Sequence, residues 1–252
     1  MKRTFSTFAG SAALLLALFL VASAPASAQL LPRTGFEKKE GKQGGKDGAD
    51  APSGSAFVLA RVKYSGGGDW YNDQSAEVNL LDFVNQRTGI KVRSTFEYVE
   101  LSSDKVFNYP VLFLTGHGNI NFTDGEAKRL RAYLDNGGFL YIDDDYGLDT
   151  AVRREMRKVF PDQEFQELPF SHGIYNSFYK FPNGLPKIHE HDGRPPQGFG
   201  LFTQDRRLAV FYTYETNPSD GWADPAAHDD PPEKRESALQ IGANIVVWAL
   251  TH

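Results

Sequence analysis

Val111-Leu-Phe-Leu-Thr-Gly-His-Gly118 and Gly137-Gly-Phe-Leu-Tyr-Ile-Asp-Asp-Asp145 decide the fold. Each is a short apolar run of strand character that breaks into polar residues at its C-terminal end. The segment between them reads as one helix. Thr123-Asp-Gly-Glu126 matches a capping box, Ala127, Leu130 and Leu134 share one side, and Asn136-Gly137 stops it. In an open α/β sheet, ligands meet the protein at the carboxyl ends of the strands. His117 and Asp143 to Asp145 therefore stand where chemistry would be placed.

The same pattern extends outward. Phe57 to Tyr64 reads as a first strand, followed by the loop Ser65-Gly-Gly-Gly-Asp-Trp-Tyr-Asn-Asp73. A helix is expected from Ser75 to Thr88, with Val78, Leu81 and Val84 or Asn85 inward and Gly89 as its stop. Ile90 to Phe96 reads as a second strand, Val111 to Thr115 as a third and Phe139 to Asp143 as a fourth. Asp149 is placed to cap the next helix, with Val152, Met156 and Val159 inward and Pro161 beyond its end. From Gln163 to Gly200 no periodicity emerges. Leu201 to Glu215 reads as a hairpin turning near Asp205-Arg206-Arg207, and a Pro- and Asp-rich loop leads to a final helix, apolar from Ile241 to Leu250. Together these elements predict an α/β fold: a doubly wound, mostly parallel sheet with helices on both faces, flavodoxin-like, with a β-hairpin addition. In that order the first strand lies beside the third. The switch-point crevice then opens between the loops Gly66 to Asp73 and Gly116 to Asn121, with Asp143 to Gly147 alongside.

Residues 1–28 have the parts of a secretory signal: Lys2 and Arg3, an apolar core from Ala12 to Ala22, and Ala26-Ser27-Ala28 before Gln29. The apolar core falls short of the ~20 residues that span a bilayer, so cleavage is expected rather than a membrane anchor. The mature chain is then exported, periplasmic or extracellular, with no transmembrane helix. Residues 29–55 are rich in Gly, Lys, Glu, Asp and Ser and read as a disordered linker. Residues 56–252 form one domain of a size that buries a real core.

The formal net charge is −5. Loss of Lys2 and Arg3 with the signal makes it −7, and setting aside the linker, which has five basic and four acidic residues, leaves −8 on the domain. Such a domain, without a basic stripe, is a poor partner for nucleic acid. The chain has no Cys, which excludes disulfides, thiolate metal sites and a Cys nucleophile. Neither a Walker motif nor a Gly-x-Ser-x-Gly elbow occurs.

From Phe57 onward the chain resembles the bacterial domain-of-unknown-function family numbered 4159. The resemblance is carried by Thr115-Gly-His-Gly118, Leu130-Arg-Ala-Tyr-Leu134, Gly137 to Asp144, Val159-Phe-Pro161, Pro186-Lys-Ile-His-Glu-His191, Asp220-Gly-Trp222 and Ala238 to Asn244. It departs from the family's His-Pro-Ile at His172-Gly-Ile174. The resemblance implies a fold like that of the class I glutamine amidotransferases and carries no established activity. That fold places a Cys nucleophile on a tight turn after a strand. Here Asp143 or Asp144 stands near the turn, so thiolate chemistry is out, and an Asp nucleophile is a minor alternative.

The candidate catalytic residues are His117, Asp143 and Asp144. His117, between two glycines, suits a general base or a ligand, against a loop-packing role. The aspartates suit a hard cation, against service in turns and caps; Asp145 reads as a solvated turn residue. Candidate ligand-binding residues are Asp69, Trp70, Tyr71, His172 and Asp220. The two aromatics suit a sugar ring or peptide, against covering the sheet's end. His189-Glu-His191-Asp192 has metal-ligand composition on a loop with no helix to fix it. His228 and His252 read as surface residues, and Arg235 as a partner for a buried-side Asp. The sequence names no cofactor and no particular metal. Two functions remain open: a non-catalytic domain binding a small polar ligand or a cell-envelope component, and a metal-assisted hydrolase acting on an envelope glycan or peptide.

Overall fold

The computed structural model describes residues 56–252. The expected signal and linker lie outside the described residues.

Strands β1 (Leu59–Lys63), β2 (Glu97–Glu100), β3 (Val111–Leu114), β4 (Phe139–Asp143), β5 (Gln166–Glu167), β6 (Gln197–Phe202) and β7 (Leu208–Tyr214) form one sheet in the order β2-β1-β3-β4-β7-β6-β5. The first five in that order run parallel, and β6 and β5 extend the edge antiparallel. This is the expected flavodoxin-like layout with its hairpin addition. β2 and β3 flank β1, so the chain reverses its direction of travel across the sheet there, which opens a crevice at the carboxyl edge.

Alternation along the strands sorts the core into two layers. Ala60, Val62, Leu112, Leu114, Leu140 and Ile142 meet Leu130 and Leu134 of helix α2 (Asp124–Asp135) and Val152 and Met156 of helix α3 (Asp149–Val159). On the other face Leu59, Val111, Phe113, Phe139 and Tyr141 meet Leu80, Leu81 and Val84 of helix α1 (Ala76–Thr88) and Ile241 and Ile245 of the C-terminal helix. Phe113, Tyr141 and Phe211 are register partners on β3, β4 and β7, and their rings stack at 5.4 and 6.1 Å. The long C-terminal helix runs over Pro232–Thr251, after a four-residue turn of helix over Pro225–His228; we label the short one α4 and the long one α5.

The capping box at Thr123 is formed, and Gly89 ends α1 at φ +74°. Three expectations are corrected. The second strand is Glu97–Glu100, not Ile90 to Phe96, where only Val92 bridges to Phe57. β2 is an edge strand that buries a single residue, Val99, so its apolar signal is weak. Asp149 does not cap α3. Asp144 Oδ1 instead accepts from the Leu148 amide at 2.7 Å, and Asp149 accepts from the Tyr212 hydroxyl and pairs with Arg153. Arg235 donates to the Ala223 carbonyl at 2.6 Å rather than to an Asp.

One side chain fastens the middle of the aperiodic stretch after Gln163. Asn244 of α5 accepts from the Phe178 and Tyr179 amides at 3.1 and 2.7 Å and donates to the Tyr179 carbonyl at 2.9 Å. A segment anchored through its backbone in this way needs no burial period.

Candidate functional site at the carboxyl edge of the sheet

The loops after β1, β3, β4 and β7 converge at the crevice. The first is fixed from below by Arg61, on the α1 face of β1. Its guanidinium and the Glu77 carboxylate of α1 are fully buried and make a two-pronged pair, 2.7 Å on one prong. The same guanidinium donates to the Asn72 carbonyl, so a core ion pair holds the loop that carries Asp69, Asn72 and Asp73.

Two glycines let this loop touch the next one. Gly116 sits at φ +132°, where a Cβ would stand 2.5 Å from Tyr64 Oη and 2.9 Å from Asp69 Oδ1. A Cβ at Gly68 would meet the His117 carbonyl oxygen at 2.6 Å. The close approach brings Asp69 onto His117: Oδ1 accepts from the His117 amide, and Oδ2 lies 3.0 Å from His117 Nδ1. His117 Nδ1 is also 3.5 Å from Asp145 Oδ2. About half of the imidazole faces solvent.

Asp143 and Asp144 turn inward instead. Asp143 accepts from the Thr213 hydroxyl and, at 2.7 Å, from the Ser219 amide, joining β4, β7 and the loop after β7. Asp144 serves α3, as described. Burial pushes both carboxyls up to about 7 against these hydrogen bonds, and both are fully or almost fully enclosed. Their side chains are occupied by the scaffold.

Asp145, expected to be a solvated turn residue, is 2% exposed and central. It accepts from Asn72 Nδ2 and, at 2.7 Å, from Asn217 Nδ2, and the same Asn217 amide donates to Asp220 Oδ2 at 2.6 Å. Asp145 and Asp220 are both pushed upward by burial. The charge of Asp220 adds to the rise at Asp145, and those of Asp73 and Asp143 add to it at Asp220. Two histidines complete the cluster. His189 Nδ1 lies 2.9 Å from Asp220 Oδ2, with Nε2 3.3 Å from Asp230 Oδ2. His228, exposed as expected, has Nε2 3.0 Å from Asp73 Oδ1 and Nδ1 3.8 Å from Asp220 Oδ2. Two sets have donor atoms all within 4.8 Å of one another: Asp73, Asp145 and Asp220, and His189, Asp220 and His228. Either could hold a metal ion.

The other sequence candidates lie apart from this cluster or at its rim. Trp70 packs edge-on against Tyr71 and Tyr98, 5.3 and 5.4 Å between ring centres, under the Lys63 ammonium, so it covers the β2 edge of the sheet. Tyr71 is 55% exposed. His172 is elsewhere. It accepts from the Ile174 amide at 3.2 Å and packs on Trp248, about 15 Å along α5 from Ala238, whose carbonyl accepts from the Trp222 indole. Burial, then the charge of His252, holds its imidazole below the ordinary value.

Sequence reading missed Asn72, Asp73, Asn217 and Asp230 and misplaced Asp145, while His228 is exposed as expected and still reaches the cluster. Asp73 closes the Gly-rich loop already singled out, and Asn217 opens the loop after the last strand. Position at a strand end was the one signal available for either.

A mostly parallel α/β sheet with an acidic, histidine-bearing crevice at its switch point defines the class to which this protein belongs. The chain is a member of the DUF4159 family, a domain of unknown function whose model matches residues 58–250. No curated protein matches the chain. The matched span includes every residue of the crevice.

Proposed function

We propose that this is an exported, cation-dependent binding domain whose ligand is a small polar molecule or a cell-envelope component. One observation carries the reading: Asp73, Asp145 and Asp220, from three separate loops, present carboxylate oxygens within 4.8 Å of one another at the carboxyl edge of the sheet. Gathering carboxylates in a buried place is costly unless protons or a cation offset the charge. A cation held there keeps coordination positions for an oxygen-bearing ligand. Asp69, His117 and the exposed Tyr71 stand on loops beside it. Loss of the amidotransferase nucleophile supports binding rather than thiolate chemistry, and the signal-like segment at residues 1–28 supports export.

His117 and Asp69 favour a second reading, a metal-assisted hydrolase of an envelope glycan or peptide. With Nδ1 engaged by Asp69, Nε2 is the nitrogen that would take a proton from an attacking water.

Thermal unfolding of chelator-stripped protein tests the first reading. Millimolar Mg2+, Ca2+, Mn2+ or Zn2+ should raise the midpoint, and glycan or peptide fragments of the envelope should raise it further only with the ion present. No shift with any ion, together with no retained metal, overturns it. Turnover of those fragments that needs both ion and His117 selects the hydrolase. A mature N-terminus near Gln29 in the exported fraction checks the compartment.

A further inference from the structure

The crevice contains two ligand sets of unlike chemistry that share one carboxylate. Asp73, Asp145 and Asp220 offer oxygen alone, which suits a hard ion such as Mg2+, Mn2+ or Ca2+. His189, Asp220 and His228 offer two imidazole nitrogens and an oxygen, which suits Zn2+.

A separate observation points to bound ions rather than a self-satisfied cluster. Asp220 and Asn217 are 5% and 1% exposed, and the Oδ1 atom of each is buried with no hydrogen-bond donor. A buried acceptor left bare is costly, yet here two stand bare in the same cluster. Asp220 Oδ2 is already approached by His189 and Asn217, so its Oδ1 is the oxygen left for a second centre. Both imidazoles turn a nitrogen toward Asp220, and His228 is also held as a ligand is, its Nε2 3.0 Å from Asp73 Oδ1. A carboxylate on the far nitrogen is how proteins fix the tautomer and direction of a metal-binding imidazole.

We infer that the crevice is a two-ion centre, in which Asp220 bridges a Zn2+-type ion held by His189 and His228 and a hard ion held by Asp73 and Asp145. This rests on the cation reading above and adds that the ions are two and unlike.

Full-length protein, stripped with a chelator, is loaded with Zn2+ and Mn2+ separately and together, desalted, and its bound metal counted. Both ions should be retained at once, one of each per chain. His189→Ala and His228→Ala should weaken Zn2+ about tenfold or more and spare Mn2+, Asp145→Asn should do the reverse, and Asp220→Asn should weaken both. If Zn2+ and Mn2+ displace each other from a single place, the two-ion centre is overturned and the cation reading stands. If neither ion is retained, both fall. The displacement measurement uses the unaltered chain, so it decides even where a variant fails to fold.

Discussion

Asp145 and Asp220, far apart in the chain, are held side by side by a single amide: Asn217 Nδ2 donates to an oxygen of each, at 2.7 and 2.6 Å. One donor group cannot neutralise two carboxylates. Burial, with the negative charge of neighbouring carboxylates added to it, makes this end of the sheet a place where protons bind more tightly than in the unfolded chain.

That difference sets a pH dependence. Asp143 and Asp144 are pushed up to about 7 by burial, against an ordinary value of 3.8. Between about pH 4 and 7 the folded protein therefore keeps protons that the unfolded chain has released. The stabilisation from this source is complete below pH 4 and is lost as pH rises through 7. Chelator-treated protein at constant ionic strength should thus unfold at a lower temperature at pH 8 than at pH 5, with a loss on the order of a few kcal/mol. A midpoint that rises over this interval would contradict the assignment. Saturating divalent ion should flatten the slope, since it binds more tightly as Asp145 and Asp220, whose carboxyls are also pushed up, lose their protons.

A second prediction concerns Arg61 and Glu77. Glu77→Ala strands a buried guanidinium and should cost about 3–5 kcal/mol in urea unfolding. The paired replacement Arg61→Met with Glu77→Leu should recover most of that. It should nonetheless weaken cation binding, because the tie from Arg61 to the Asn72 carbonyl is gone and the loop bearing Asp73 loses its anchor. Equal cation affinity in the paired variant and the parent would show that the loop is held by other contacts.

The third separates stability from chemistry at the rim. His117 is half in solvent, so His117→Ala and Asp69→Asn should each change unfolding free energy by no more than about 1 kcal/mol. Cation retention should survive in His117→Ala, while binding or turnover of the polar ligand falls. A large loss of stability instead would make the pair a loop fastener.

Several features of the fold were legible in advance because they depend on neighbours in sequence. The Thr123 to Glu126 capping box, the Gly89 stop and the apolar runs of β3 and β4 are local events. Their order along the chain gives the doubly wound alternation, and a flavodoxin-like order then places β1 beside β3. β2 escaped because an edge strand with one inward residue has almost no period to read. At the crevice, position near a strand end is what singles out His117, Asp69 and Asp220, and all three lie on the converging loops. Asp145 was misjudged for a physical reason: three consecutive aspartates after a strand look alike until the loops that close over them are known.

Sequence by itself determined the α/β class, the mostly parallel winding of the sheet, the edge at which a site is expected and the chemistry that the lack of Cys forbids. These follow from periodicity, caps and composition, which act over a few residues. Only the tertiary structure decided which acids serve the scaffold and which the crevice. Asp143 and Asp144 find backbone amides and a threonine hydroxyl. Asp145 meets Asp220, and His189 and His228 gather around it. Those partners come from loops distant in the chain, and what a carboxylate does depends on who faces it.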